Sequence, residues 1–453
     1  SRGLGDVYKR QILMFDFSSF LSNKAFITED HHVYTYADLL GLSERFSEHL
    51  VPRSLIFIGC ENSLESIVAY VSCLRSGVVP LLLSRDVPDE TLYHLEAIYH
   101  PRYCWFPSRR DLLVKGKEKY SLGGYSLIQY DGDSPVLPEG LALLLTTSGS
   151  TGSPKLVRLS HDNLKSNACS IIEYLKITSS EKAITSLPMY YSYGLSVLNS
   201  HLLAGATLLL TDKSYVQREF WKFVLEEKAT SFAGVPFTYE ILKKMRFEKF
   251  LPSSVKVMTQ AGGKLNSSLI KYFSEYARLH DIRFYVMYGQ TEATARMSYL
   301  PAEYTLNKVG SVGVAIPGGH FSLIDEDGMR IVSPNVEGEL VYEGSNVFWG
   351  YAESLDDLFK GDENKGILYT GDLAYVDSEG FYYISGRKKR FLKLYGNRIS
   401  LDFVESIVKD HCQECACVGS DDKLIVYVTD LDKIDSIKSV LSNRVLILSL
   451  IHI

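Results

Sequence analysis

What most constrains this chain is a rhythm. From Lys24 onward, short apolar runs rich in β-branched and aromatic residues alternate with stretches of helical periodicity. "SLIFIGC", "SLESIVAYVSCLRSG" and "VVPLLL" read as a strand, a helix ending at Gly77, and a second strand. The pattern resumes after Leu141, where "KAITSLP" and "GATLLLTD" flank a helix around Leu195 to Leu203. "KATSFAGVP", "VKVMTQAGG" and "IRFYVMYGQ" each follow a helical stretch. Such alternation argues for parallel sheets with helices on their faces. Two α/β units of this kind fill roughly Met14 to Leu300, opened by a hairpin and a helix that starts near Thr35.

After Pro301 the pattern changes. "GELVYEG", "FYYIS" and "RFLKLYG" alternate as antiparallel strands do, with turns at "DEDG" and "DSEG". This predicts a small β-rich subdomain from about Val309 to Gly386. The amphipathic "SLDFVESIVKDH" and the strand-like "KLIVYVTD" follow. The expected architecture is α/β. A large N-terminal domain, 14–386, holds two α/β subdomains and the β-rich one. A small, incomplete α+β C-terminal domain, 387–444, comes after it. Residues 1–13, where "SRGLGDVYKRQ" has no apolar periodicity, and 445–453, which carry no cap or turn signal, read as non-native tails.

Charge and composition exclude several classes. A formal charge of -6 offers no general basic face for a nucleic-acid backbone. No apolar run approaches the ~18 residues of a membrane helix. Seven cysteines, an odd number with four scattered singly, suit a reducing cytoplasm better than a disulfide framework.

The stretch "LLLTTSGSTGSPKLVRLSH", Leu143 to His161, carries the first chemistry. Consecutive backbone N–H groups in a Gly/Ser/Thr loop form an anion-binding nest, and small side chains let phosphate approach. Thr147, Ser148, Ser150 and Thr151 add hydroxyls, Gly149 and Gly152 add freedom, and Lys155 adds a point charge. A kinase-type loop needs Gly-x-x-x-x-Gly-Lys-Ser/Thr. Here Lys155 follows Pro154, and Leu156 stands where Ser/Thr belongs. Two readings of the stretch remain: a surface hairpin and a phosphate grip.

Further motifs occur in order down the chain: "QAGG" (Gln260 to Gly263), "YGQTEA" (Tyr288 to Ala293), "GELVYEGSNVFWGYA", and "LYTGDLAYVDSEGFYYISGRKKRFLKLYGNRIS". Together with "TTSGSTGSPK" they resemble the adenylate-forming, or AMP-binding, superfamily over nearly all of residues 25 to 430. The resemblance implies ATP-dependent activation of a carboxylic acid to an acyl-adenylate. Transfer to a thiol, of CoA or of acyl-carrier-protein phosphopantetheine, would follow. It implies that Thr147 to Lys155 hold the β- and γ-phosphates and that Ala261, Gly262 and Gly263 bind adenine beside Tyr288 and Gly289. Thr291 would donate to the α-phosphate, and Glu292 would hold Mg²⁺, a hard cation that takes few carboxylates. Asp372 would accept the ribose hydroxyls, and Arg387 would contact ribose or phosphate. Lys389 falls at the family's hinge. Lys393 and Gly396 match positions near the active site in the second conformation. "PMYYSYGL" places Tyr191 where the family often has His, at a residue that lines or gates the acyl pocket. No Asp there would hold an amino-acid ammonium group.

Two features stand apart. "HCQECACVG" carries a Cys-x-x-Cys without a second pair at metal spacing, so a structural role is expected. The family's C-terminal Gly-Lys, preceded by a proline, does not appear after Arg390. That departure reads as truncation. It sets an acid–thiol ligase beside an alternative, a nucleotide-binding fragment impaired in adenylation.

Overall fold

The computed structural model describes residues 14–108, 116–146, 155–388, 391–394, 397–412, 414–420, 423–445 and 451–452. Contacts divide the chain into two compact units, Ser1–His320 with Glu343–Leu368, and Phe321–Tyr342 with Tyr369–Ile453. The sequence reading instead sets a boundary at residue 386, between a domain of residues 14–386 and a partial one of residues 387–444.

The first unit holds two mixed sheets. One has nine strands, in the order Val314–Ala315, Ser298–Leu300, Arg283–Tyr288, Val257–Gln260, Ser231–Gly234, Lys182–Ile184, Thr207–Leu209, Lys24–Ile27 and Val33–Thr35. Its interior from Arg283–Tyr288 to Lys24–Ile27 is parallel, and both edges are antiparallel. The other has eight strands, in the order Gly350–Ala352, Leu156–Ser160, Leu141–Thr146, Val79–Ser84, Leu55–Cys60, Tyr103–Pro107, Tyr125–Tyr130 and Gly116–Leu122. The two α/β units expected from the sequence correspond to these sheets, with one change. The opening hairpin pairs with Thr207–Leu209, at the far edge of the later sheet.

Local signals set the helices. Thr35 and Asp38 form a capping box at Tyr36–Ser47. Leu64–Ser76 begins after Ser63 and ends at Gly77, whose φ of 69° suits glycine. Ser160 and Asn163 form a second box at His161–Leu175. Ser192–Leu203 is buried on every side and therefore lies within the core rather than on it.

The β-rich stretch predicted from Val309 to Gly386 is divided. Val314–Ala315 extends the nine-stranded sheet, and Gly350–Ala352 covers the open edge of Leu156–Ser160. An unpaired edge strand is a liability that such pairing removes. The second unit contains most of a five-stranded sheet ordered Arg330–Ile331, Gly319–Ile324, Gly338–Gly344, Ile367–Val376 and Tyr382–Arg387. It also holds a small α+β cluster. There Leu401–Lys409 and Ile434–Val445 pack Val404, Val408, Ile437 and Leu441 with Leu424 and Val426 of Lys423–Val428. Ile451–His452 pairs in parallel with that strand.

No helix among the described residues is long and apolar enough to cross a membrane. No cluster of three or more His, Cys, Asp or Glu there could hold a metal, including the Cys412–Cys415 region. All seven cysteines are free thiols.

Candidate active site

Val257–Gln260 and Arg283–Tyr288 are parallel neighbours, with Gln260 opposite Val286. The loops that leave their C-terminal ends therefore emerge side by side, where α/β sheets place ligands. The first loop is Ala261 to Gly263. Gly262 has φ of 81°, and a Cβ there would lie 2.4 Å from the Tyr191 hydroxyl, so only glycine lets that phenol rest on the loop. The buried Gln260 donates Nε2 to the Gly263 carbonyl at 2.9 Å and folds the loop back.

The second loop carries Gly289, Thr291 and Glu292. A Cβ on Gly289 would meet the Ala295 carbonyl at 1.8 Å, so the chain can double back here only through glycine. Thr291–Ala293 forms a 3₁₀ turn. It ends at Thr294 with φ 66° and ψ -51°, a conformation that a β-branched residue adopts at a cost of about 1–3 kcal/mol. Reciprocal bonds impose it. Thr294 Oγ1 donates to the Asn346 carbonyl at 2.8 Å, and buried Asn346 Nδ2 donates to the Ala293 carbonyl at 2.8 Å.

This turn sets out the polar groups. Thr291 Oγ1 lies 3.2 Å from Ser192 Oγ, at the first residue of the helix Ser192–Leu203. Glu292 Oε1 accepts the Tyr351 hydroxyl at 2.7 Å. Burial and the neighbouring Glu292 charge hold the Tyr351 phenol well above its ordinary pKa, so it stays a proton donor. Lys155 Nζ lies 5.6 Å from the centre of the Tyr351 ring and pairs with Glu353 Oε1 at 2.7 Å.

Arg158 anchors the segment that brings Tyr351 in. Its side chain is fully buried. Its guanidinium donates to the carbonyls of Tyr351 at 3.3 Å, Trp349 at 3.2 Å and Gly361 at 3.3 Å, and also to Lys360 O and the Glu363 carboxylate. Asn163 adds two bonds, to the Ser345 and Val347 carbonyls, both 2.7 Å. The strand and helix that follow the Gly/Ser/Thr loop thus hold the far segment in register with Glu292.

The first unit therefore brings together Lys155, Ala261, Gly262, Gly263, Tyr288, Gly289, Thr291 and Glu292 of the predicted residues. Thr147, Ser148, Gly149, Ser150, Thr151 and Gly152 lie outside the described residues, as do Lys389 and Gly396. Sequence reasoning missed Tyr351, Arg158 and Ser192. A tyrosine inside the quoted "VFWGYA" and an arginine flanked by Val157 and Leu159 on a buried strand were the signals available.

In the second unit Asp372 is buried and stands opposite Arg387 across two antiparallel strands. Its Oδ1 lies 3.3 Å from Arg387 Nε, and that arginine is largely exposed. Gly371, with φ of 69°, accepts the Lys388 N–H at 2.8 Å, and Lys388 Nζ pairs with Glu339 at 2.6 Å. Lys393 lies on the strand Phe391–Leu394, opposite Arg398.

The donor set suits magnesium. Glu292 gives one carboxylate with one oxygen on Tyr351, and its second oxygen has no partner among the described residues. Magnesium is bound through one or two carboxylates, retaining waters and substrate phosphates.

A family model described as AMP-binding enzyme matches residues 19–352. A 2-succinylbenzoate–CoA ligase of Bacillus cereus is 28% identical over 427 residues, spanning 89% of this chain and 86% of its own length. The same enzyme from a second strain of that species is 31% identical over the same shares. Among solved structures, o-succinylbenzoate CoA synthetase from Bacillus subtilis with its acyl-adenylate matches at TM-score 0.75 and 23% identity, over 93% of this chain and 89% of that one. ATP-bound MatB from Rhodopseudomonas palustris matches at TM-score 0.77 and 22% identity, over 95% and 91%.

Proposed function

The chain belongs to the AMP-binding enzyme family and is an AMP-forming acid–thiol ligase, and from that premise we propose how it works. A carboxylate oxygen attacks the α-phosphorus of ATP. The bond to the bridging oxygen breaks, and pyrophosphate leaves. A thiol then attacks the acyl carbon of the adenylate, AMP leaves with the bonding pair, and the thiol proton passes to solvent.

Both partners in the first step are negative, so charge neutralisation and alignment dominate catalysis. Thr291 donates its hydroxyl to the α-phosphate, with Ser192 Oγ at 3.2 Å to orient it. Glu292 would hold magnesium, which supplies positive charge to the phosphates. Tyr351 keeps the Glu292 carboxylate aimed. Lys155 exchanges Glu353 for phosphate; the pair is half exposed on both sides, so the exchange costs little. Gly262 and its neighbours take adenine. Asp372 is assigned the ribose hydroxyls, Arg387 a ribose or phosphate contact, and Lys393 a role in thioester formation.

The Tyr351–Glu292 bond, one residue after Thr291, carries the reading. CoA is the favoured acceptor, because the curated relatives are named as CoA ligases. The test is acid-dependent pyrophosphate release followed by acyl transfer, offered free CoA and a phosphopantetheinylated carrier protein in parallel. The 2-succinylbenzoate of the relatives' names is one acid for that assay. Expected is magnesium-dependent release and transfer to CoA. Release that does not depend on any acid would overturn the reading. The free thiols suit a reducing cytoplasm. The alternative of an impaired fragment draws no support from the described residues.

A further inference from the structure

Behind the Thr291 end of the site lies a second buried arginine. Arg296 is 2% exposed. Its main-chain carbonyl accepts Asn167 Nδ2 at 2.8 Å and Asn346 Nδ2 at 3.3 Å, and both asparagines are buried, so its backbone is fixed. Its Nε donates to Ser196 Oγ at 3.1 Å, and its Nη1 to Tyr174 Oη at 3.0 Å and Met287 Sδ at 3.6 Å. Nη2 has no partner among the described residues, and no carboxylate there pairs with the guanidinium. Both hydroxyls that receive it spend their own protons elsewhere. Ser196 Oγ donates to the Tyr193 carbonyl at 2.7 Å, and Tyr174 Oη donates to Met287 Sδ at 3.1 Å. They lend lone pairs and no negative charge. The Tyr193 ring, 5.1 Å from the guanidinium carbon, offsets part of the cost of burial. A buried charge without a counter-charge remains expensive.

Arg296 also lines a narrow crevice between the helix Ser192–Leu203 and the nine-stranded sheet. Val197, Ala233 and Thr259 are among its other walls, and it has room for little more than a water. With Nε and Nη1 engaged, Nη2 is the part of the guanidinium left to face this space. Thr259 marks the inner end, because its Oγ1 meets the hydroxyl of Tyr193, the ring that Arg296 covers, at 2.8 Å. Two other ionisable groups share the lining. Burial lowers the pKa of His201 to about 4, and its Nδ1–H donates to the Val197 carbonyl at 2.8 Å, so this histidine is neutral. Glu181 accepts the Thr230 hydroxyl. Ala183 is level with Ser231 and Val257, and Ala233 with Thr259. Glu181 therefore stands four residue levels from Thr259, roughly 13 Å along the strands at about 3.3 Å per residue. That is too far for an ion pair, so the inner end holds a cation that no described side chain neutralises.

We propose that the inner end of this crevice is a binding site for one small monovalent anion, chloride being the simplest, held by Arg296 Nη2. Size and charge decide the class. One negative charge answers one guanidinium, and a charge-assisted contact is about twice as strong as a neutral one. A halide is little larger than the water for which there is room, whereas sulfate, phosphate and organic carboxylates need more space. The site is structural, and no bond is made or broken in it. Arg296 follows the strained Thr294 by two residues, so an anion that fixes the guanidinium also braces the turn that carries Thr291 and Glu292. The proposal stands independently of the ligase reading.

The experiment begins with the wild-type chain. Thermal midpoints are measured in sodium chloride, bromide, gluconate and sulfate, each over a range of concentrations at one total ionic strength. Chloride and bromide are expected to raise the midpoint saturably, by about 2 °C or more relative to gluconate. Sulfate acts only by exclusion from the surface, so its effect grows without saturating. Crystals soaked in bromide then locate the ion by anomalous scattering, and a peak in hydrogen-bonding contact with Arg296 Nη2 is expected. R296M should lose the saturable rise. Chloride and bromide responses that match gluconate, bromide peaks at surface positions alone (an adventitious ion only), or a saturable rise retained in R296M each overturn the proposal. If R296M does not fold, the wild-type midpoints and the bromide position decide by themselves.

Discussion

Arg158 and Arg296 are both buried, and they differ in what surrounds them. Arg158 sits among carbonyls and a carboxylate, with every N–H direction met by a strong acceptor. Arg296 meets two hydroxyls, a sulfur and an aromatic face. Burying a charge is expensive unless pairing is nearly complete. The first arginine is therefore a fixed joint that holds the segment behind Glu292. The second keeps unspent electrostatic capacity beneath the Tyr193 ring. One region is built to stay still behind Glu292, and the other is held by weaker, neutral partners.

Four changes would break or sharpen that contrast. R158M removes the joint and strands several buried carbonyls. It should cost about 3–5 kcal/mol, read as lowered thermal stability with loss of the ATP–magnesium shift. E363Q should cost far less, because Glu363 is half exposed. E292Q keeps the joint but removes the carboxylate charge. Acid-dependent pyrophosphate release should fall by roughly 10²-fold, while the chloride response at Arg296 stays unchanged; its loss would mean that the two regions are not separable.

The third change is pH. An unfolded histidine takes up its proton near pH 6.5, whereas folded His201 resists down to about 4. Between these values the unfolded chain binds more protons, so stability declines as pH falls through that window and is unaffected above it. At pH 5 the loss from this one group is about 2 kcal/mol. Denaturant midpoints at pH 7 and 5 check it: H201L should flatten the slope. The smallest effect belongs to Y351F. Loss of one hydrogen bond to a charged group, about 1.5 kcal/mol, should appear as a roughly tenfold higher magnesium requirement at saturating ATP.

Much of this was legible in the sequence where the cause is local. Thr35 with Asp38 and Gly77 announce helix ends through bonds made within a few residues. "QAGG" and "YGQTEA" mark loops where backbone must come close, and Gly262 and Gly289 meet that demand. What stayed hidden depends on distant partners. The hairpin at Lys24–Thr35 joins a strand from Thr207–Leu209, and no residue of the hairpin encodes which edge it will find. Arg158 on a strand beside Val157 and Leu159 gives no hint of its cage, because the cage is made of main-chain carbonyls from Trp349 to Gly361. Tyr191 and Tyr193 stand two residues apart in the short stretch "PMYYSYGL", where sequence alone gives both the same aromatic character. Their difference comes from Gly262 on one side and Arg296 on the other, both far along the chain.

The strained Thr294 joins the two regions through a single peptide run, with Glu292 two residues before it and Arg296 two residues after. A change of length anywhere in that run would displace both. The helix that carries Tyr191, Ser192 and Tyr193 shares no backbone with Glu292 nearby. Substitution on that helix leaves the length of the turn unchanged, whereas an insertion or deletion within the turn moves Glu292 and Arg296 together. The same rule guides redesign: leave 289–295 without insertions or deletions.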